Sequence, residues 1–125
     1  MANETKPLFR PGQDVTVQTT AAVTGKTFVG VSATRDASSG LVKVAVATAA
    51  VKPFGVANAD AASGATVGVH RGGIIPVTAG GAIAAGAQVE IGTGGKVVTL
   101  ASGVAVGLAL ETGTTNNDVL IALDI

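Results

Sequence analysis

A chain of 125 residues in which 47% are hydrophobic, only 2% are aromatic and 18 are glycine has room for one core, which must be built from Val, Ala, Ile and Leu with backbones in close approach. Eight basic residues balance eight acidic ones, with no block of either sign; this excludes the Lys/Arg stripe and aromatic platforms of a nucleic-acid-binding surface. With no cysteine, disulfides and thiolate metal sites are excluded too.

Residues 1 to 13 form the first predicted element, an extended arm distinct from the body. Pro7 and Pro11 bracket Leu8-Phe9-Arg10, and proline fixes φ while pushing the residue before it toward extended conformations. The polar start from Met1 to Lys6 has no apolar run of signal-peptide length behind it. The expectation is therefore synthesis and folding in a cytoplasm, without secretion.

From Asp14 to Ile125 the sequence reads as a single β domain. Val15 and Val17 alternate with Thr16 and Gln18, a half-buried strand. A Gly25-Lys26 turn leads to a second strand over Thr27 to Ala33. The polar loop from Arg35 to Gly40 follows, and then Val42, Val44 and Val46 in strict alternation. Val67-Gly68-Val69 runs through His70-Arg71-Gly72-Gly73 into Ile74-Ile75-Pro76-Val77, a pattern that predicts a hairpin; Pro76 lacks a ladder donor and places its strand at an edge. Gly80, Gly81 and Gly86 break an alanine-rich stretch that would otherwise suit a helix. The same glycines with Pro76 leave the uncharged segment from Gly72 to Val89 unfit to cross a membrane as a helix. Val89 and Ile91 then form a strand joined by a Gly92-Thr93-Gly94-Gly95 turn to Val97-Val98-Thr99-Leu100.

One phrase occurs twice. Gly55-Val56-Ala57, a turn containing Gly64, and Val67-x-Val69 return as Gly107-Leu108-Ala109, a turn from Thr112 to Asn117, and Val119-x-Ile121, at a constant separation of 52 residues. Two halves of one domain therefore repeat a strand-turn-strand unit.

Neither copy carries catalytic chemistry. Gly92-x-Gly94-Gly95-Lys96 lacks the Ser or Thr and the earlier glycine of a phosphate loop, since Val97 and Glu90 hold those places, and it reads as a hairpin turn. His70 is the single histidine, without a metal-ligand spacing to Asp60, Glu90, Glu111 or Asp118, and no nucleophile elbow exists for it to serve. The expectation is of no catalytic residue, no metal and no cofactor.

The segment Lys6-Pro7-Leu8-Phe9-Arg10-Pro11-Gly12, the turn Val23-Thr24-Gly25-Lys26, Phe54-Gly55-Val56-Ala57 with Gly64, Val77-Thr78-Ala79-Gly80, Gly94-Gly95-Lys96-Val97-Val98 and Val106-Gly107-Leu108-Ala109-Leu110 together resemble the capsid decoration, or cement, proteins of tailed bacteriophages over nearly the whole chain. The resemblance implies an all-β fold, a small β-tulip or barrel-like domain. It also implies a homotrimer on the outer face of the expanded head, bridging capsomers at three-fold and quasi-three-fold positions, after synthesis in the cytoplasm of a bacterial host. Its partners would be the major capsid protein and neighbouring decoration subunits, with no nucleic acid and no membrane. The arm residues Lys6, Pro7, Leu8, Phe9, Arg10, Pro11 and Gly12 would make the capsid or neighbour contacts. The alternative from the same composition is a tail-tube or fibre accessory module of a virion.

Overall fold

Valine-rich segments of alternating burial fold into short strands in a computed structural model that describes residues 3–125. The first half contributes β1 (Asp14–Thr19), β2 (Phe28–Ala33), β3 (Lys43–Val46), β4 (Gly55–Ala57) and β5 (Thr66–His70). The second contributes β6 (Ile74–Thr78), β7 (Gln88–Ile91), β8 (Val97–Thr99), β9 (Gly107–Ala109) and β10 (Asp118–Leu123), with a 3-10 turn over Thr93–Gly95. Strands β1 to β5 close a barrel in the order β1-β3-β2-β4-β5, sealed by the antiparallel β5–β1 pair. Strands β6 to β10 form a sheet in the order β6-β10-β9-β7-β8, with the Pro76-bearing β6 at its edge. The fold is all-β, as the composition requires.

Pairing shows that the duplication covers the whole chain and not only the repeated phrase. Val17 pairs with Val67 and Val77 with Val119; Val29 pairs with Gly55 and Val89 with Gly107. The parallel pair Thr19 with Val44 has its twin in the parallel bridge Ala79 with Val97, and the bridge Val23 with Ala61 has its twin in Ile83 with Gly113. Strands β1 and β2 thus recur 60 residues later as β6 and β7, while β4 and β5 recur 52 residues later as β9 and β10. Most of the difference is the β2–β3 loop: Val31 and Val44 are partners in the first half, Ile91 and Val97 in the second, so the first loop is seven residues longer.

The glycine that opens each repeated phrase has a packing cause. A Cβ on Gly55 would collide with Val69 and the His70 carbonyl, and one on Gly107 with Ile121 and the Ala122 carbonyl. Each glycine lets a three-residue strand lie directly on its antiparallel neighbour.

The expected hairpin from Val67 to Val77 does not form. Both edges of β5 are taken, by β1 and β4, and β6 pairs instead with β10. Arg71, Gly72 and Gly73 are the crossing from the first half to the second, with Gly73 in the left-handed region at φ 96°.

The two halves share a seam in which Phe28 is central. Val29 faces the core of the first barrel with Val15, Val17, Val23, Val44, Ala57, Val67 and Val69. Its neighbour Phe28, fully buried, belongs with Ala47 and Val56 to the core of the second half, among Val77, Ala79, Ile83, Val89, Ile91 and Val97. Strand β2 is therefore sandwiched between two cores. Where the first barrel closes with a paired β1–β3, the second sheet has a single bridge between β6 and β8, and the start of β2 packs against those edges. There Thr78 N donates to the Lys26 carbonyl at 2.9 Å, and Ala50 N to the Ile91 carbonyl at 2.9 Å. Lys26 Nζ also lies 2.7 Å from Asp118 Oδ2. Gly95, at φ 74°, presses on the same strand: a Cβ would lie 2.6 Å from the Phe28 carbonyl oxygen.

Truncating Phe28 to Ala empties the seam, so Phe28→Ala should cost about 3 to 5 kcal/mol in denaturant unfolding. Gly94 and Gly95 share a positive φ, but only Gly95 has a neighbour within reach of a Cβ. Gly94→Ala should therefore cost roughly 1 kcal/mol of backbone strain, and Gly95→Ala clearly more. Equal midpoints for the two variants would show that the contact with Phe28 does not govern the seam.

Candidate functional site

The arm residues are placed together at one end of the first barrel. Lys6 to Pro11 lie exposed, Gly12 is half-buried, and the segment contains no strand. Leu8 and Phe9 are 72% and 44% exposed, although their side chains are among the most apolar of the chain. The segment curls so that Leu8 to Gly12 line an open hollow with Gln13 and Asp14. Its root is held: Arg71 N donates to the Gln13 carbonyl at 2.7 Å. The arm thus presents two unburied apolar side chains between the cations Lys6 and Arg10, anchored close to where the chain crosses between halves.

His70 ends β5 opposite Asp14 of β1, and its Nδ1 lies 2.8 Å from Asp14 Oδ1. A carboxylate can only accept, so Nδ1 donates. Asp14 is 80% exposed, and the hollow beside the pair is completed by Val15, Thr16, Asn58, Gly68 and Val69. No nucleophile is hydrogen-bonded to the imidazole among the described residues, so the pair orients a surface side chain and assembles no relay. The glycine turn before Lys96 is a hairpin connection between β7 and β8, and Lys96 Nζ donates to Asn116 Oδ1 at 2.7 Å. Among the described residues no group of three or more His, Cys, Asp or Glu side chains is placed to hold a metal ion.

Several carboxylates accept hydrogen bonds from the backbone, Asp60 from Gly25 N at 2.8 Å among them. Asp36 accepts from Ser39 N at 2.8 Å, from the Ser39 hydroxyl at 3.1 Å and from Ser38 N at 3.0 Å. The Ser39 backbone bond first, then its hydroxyl, holds the Asp36 carboxyl below its usual range, with Lys43 contributing. That fixes the long β2–β3 loop. Glu90 is the one buried acid among the described residues: Oε1 accepts from Ala101 N at 2.8 Å, pinning the chain that leads to β9, while Oε2 has no hydrogen-bond partner among them.

A further apolar surface was not singled out by the sequence reading. On the outside of the second sheet, Leu120 stands across from Pro76, and Ala122 stands between Ile74 and Leu108. Leu110 N donates to the Leu120 carbonyl at 2.9 Å, which places Leu110 beside Leu120. Ile74, Leu108, Leu110 and Leu120 are 61%, 41%, 43% and 38% exposed, so the face is a contiguous apolar patch. The signal was present: in β10 the exposed Leu120 sits between the buried Val119 and Ile121, so the strand is apolar on both faces, whereas a solvated sheet alternates. The first half exposes a second apolar set, Val31, Val46 and Val51.

Comparison with known proteins agrees with the all-β architecture. No curated protein matches the chain. A solved structure described as the head fiber gp8.5 N base in bacteriophage phi29 has a similar fold, with a TM-score of 0.76 at 20% identity over 89% of this chain and 92% of that one. The family model of phage cement proteins matches residues 9–125, everything from Phe9 onward, and on that match this chain belongs to the phage cement protein family, a family of structural virion proteins.

Proposed function

We propose that this protein binds the outer surface of the expanded phage head and stabilises it by bridging capsomers at three-fold and quasi-three-fold positions, as a homotrimer. The observation that carries the reading is the family match over residues 9–125. The chemistry of the surface supports it, because a domain whose unpaired features are an exposed Leu8–Phe9 arm and apolar sheet faces is suited to assembly.

The arm, residues 1 to 13, is the capsid or neighbour contact, and Lys6, Pro7, Leu8, Phe9, Arg10, Pro11 and Gly12 are its working residues; residues 14 to 125 are the body that presents it. Leu8 and Phe9 lose their exposure only on a partner, with Lys6 and Arg10 placed to meet acidic groups beside them. The partner is the major capsid protein, with neighbouring decoration subunits sharing the site. A protein that binds only the expanded lattice stabilises it by mass action, about 2.7 kcal/mol per site at a hundredfold excess over Kd. Three linked arms raise the effective affinity further when geometry lets them engage together.

Deleting residues 1 to 13, or replacing Leu8 and Phe9 by Ala, should leave a folded body that no longer stays on undecorated heads. Cosedimentation and electron microscopy of heads with and without the protein measure this. Undiminished attachment of both variants would remove the arm from the binding site. Density confined to the tail would favour the tail or fibre accessory role instead.

A further inference from the structure

Duplication gives exposed positions of one half a counterpart in the other, and on one face the counterparts differ in a way that solvent does not explain. Asp14, Thr16, Asn58, Gly68 and His70 on the first barrel correspond to Ile74, Pro76, Leu110, Leu120 and Ala122 on the second sheet. The first set is what a solvated sheet face carries. The second is apolar throughout, yet equally uncovered within the chain. Along β6 this face runs up to the seam, where Ile75 and Pro76 line a cleft with Val56.

Its rim is acidic. Glu111 accepts from Leu120 N at 3.1 Å, and neither Glu111 nor Asp124 has a cationic partner among the described residues. The first barrel carries the complement. Val31 and Val51 border an open hollow of about 270 Å³ completed by Lys52, Pro53 and Phe54, with Val46 exposed on the adjoining strand. Arg71 stacks over the Phe54 ring at 4.6 Å and, like Lys52, has no carboxylate partner among the described residues. The zero net charge is thus a sum of opposites: seven basic residues stand against four acidic ones up to Arg71, and one against four after it.

We propose that the apolar face around Leu108, Leu110 and Leu120 is covered by the first barrel of a second copy of this chain. The contact is head-to-tail, onto the Val31, Val46 and Val51 surface, with Glu111 and Asp124 meeting Lys52 and Arg71. It rests on the homo-oligomeric reading above and assigns the surfaces that make it. Apolar burial supplies the affinity, and the opposite rims set the orientation, since two acidic faces repel. Each chain keeps one face of each kind free, so the contact repeats and closes into a ring when its rotation allows.

The test uses the free protein, with no heads present. Light scattering with sedimentation velocity at increasing concentration should give a mass that is a multiple of 12.0 kDa. Leu108→Glu with Leu120→Glu, and separately Val46→Glu with Val51→Glu, should each fall to the single-chain mass with the β-type circular dichroism retained. Mixing the two variants should restore a two-chain species, because one intact face of each kind remains. Should a double variant lose its β signal, Leu110→Arg and Val51→Glu singly test the same faces.

A wild-type protein that stays at single-chain mass overturns the proposal, as does either variant keeping the wild-type mass. Two dissociated variants that fail to pair on mixing overturn its head-to-tail geometry. Binding to heads is scored separately: a monomer that decorates heads sinks this proposal and the homotrimer while leaving the head-binding role standing, and an oligomer that ignores heads keeps the contact and removes that role.

Discussion

The burial of Phe28 between two cores is the constraint on which the rest of the molecule depends. Neither half is large, and a barrel of strands three to six residues long encloses little apolar volume when its lining is Val and Ala. Joining the halves through one aromatic ring lets β2 serve both cores at once, with Val29 turned inward and Phe28 turned outward into the neighbour. The approach needs a residue without a side chain on the other side, and Gly95 supplies it in a left-handed conformation that other residues enter at a cost. Backbone bonds from Thr78 to Lys26 and from Ala50 to Ile91 then fix the register of the two halves, so the body presents its surfaces in one fixed relation.

The same position explains why the arrangement stops at two. The twin of Phe28 is Gln88, exposed at the start of β7, so the second sheet has no ring to extend toward a third unit. A duplicated module that kept Phe at both places would present an open hydrophobic end and grow into an array. Replacing one twin with an amide ends that mode of contact within the chain. The outward face built from Leu108, Leu110 and Leu120 then has a different geometry from the internal seam.

Much of this was legible in the sequence, and what was not has physical causes. The all-β class, the strands around Val15, Val44, Val89 and Val97, and the edge position of Pro76 follow from alternation and proline chemistry acting locally. The repeated phrase was visible because Gly55 and Gly107 are held by the same close approach to the neighbouring strand, which tolerates no substitution. The rest of the duplication was hidden. The longer β2–β3 loop, fixed by Asp36 and its serines, changes the spacing from 52 to 60, and the twin strands β1 and β6 share little beyond Val17 and Val77. The false hairpin after Val69 has a similar origin: Gly72 and Gly73 between two apolar runs look alike whether they return the chain on itself or carry it to another sheet. The partners that decide, β1 for β5 and β10 for β6, lie 40 to 56 residues away, where no local pattern reports them.

Composition also concealed the surface. A net charge of zero reads as an unpolarised protein, yet the basic residues cluster before Gly72 and the acidic excess follows it. Within one chain this separation yields the Lys26–Asp118 bridge at 2.7 Å across the seam, an exposed pair worth at most about 1 kcal/mol. Stability within the chain therefore gives little reason for seven of eight cations to lie in one half. Between chains the same separation has a larger effect, since faces of opposite sign orient an encounter and disfavour like-with-like pairing. The polar face bearing Asp14 and His70 and the apolar face bearing Leu110 and Leu120 descend from the same positions of the repeat. Divergence between the two copies has left the first of these faces polar and made the second apolar on a single rigid frame, so that only the second is free to meet the Val31, Val46 and Val51 surface of another chain.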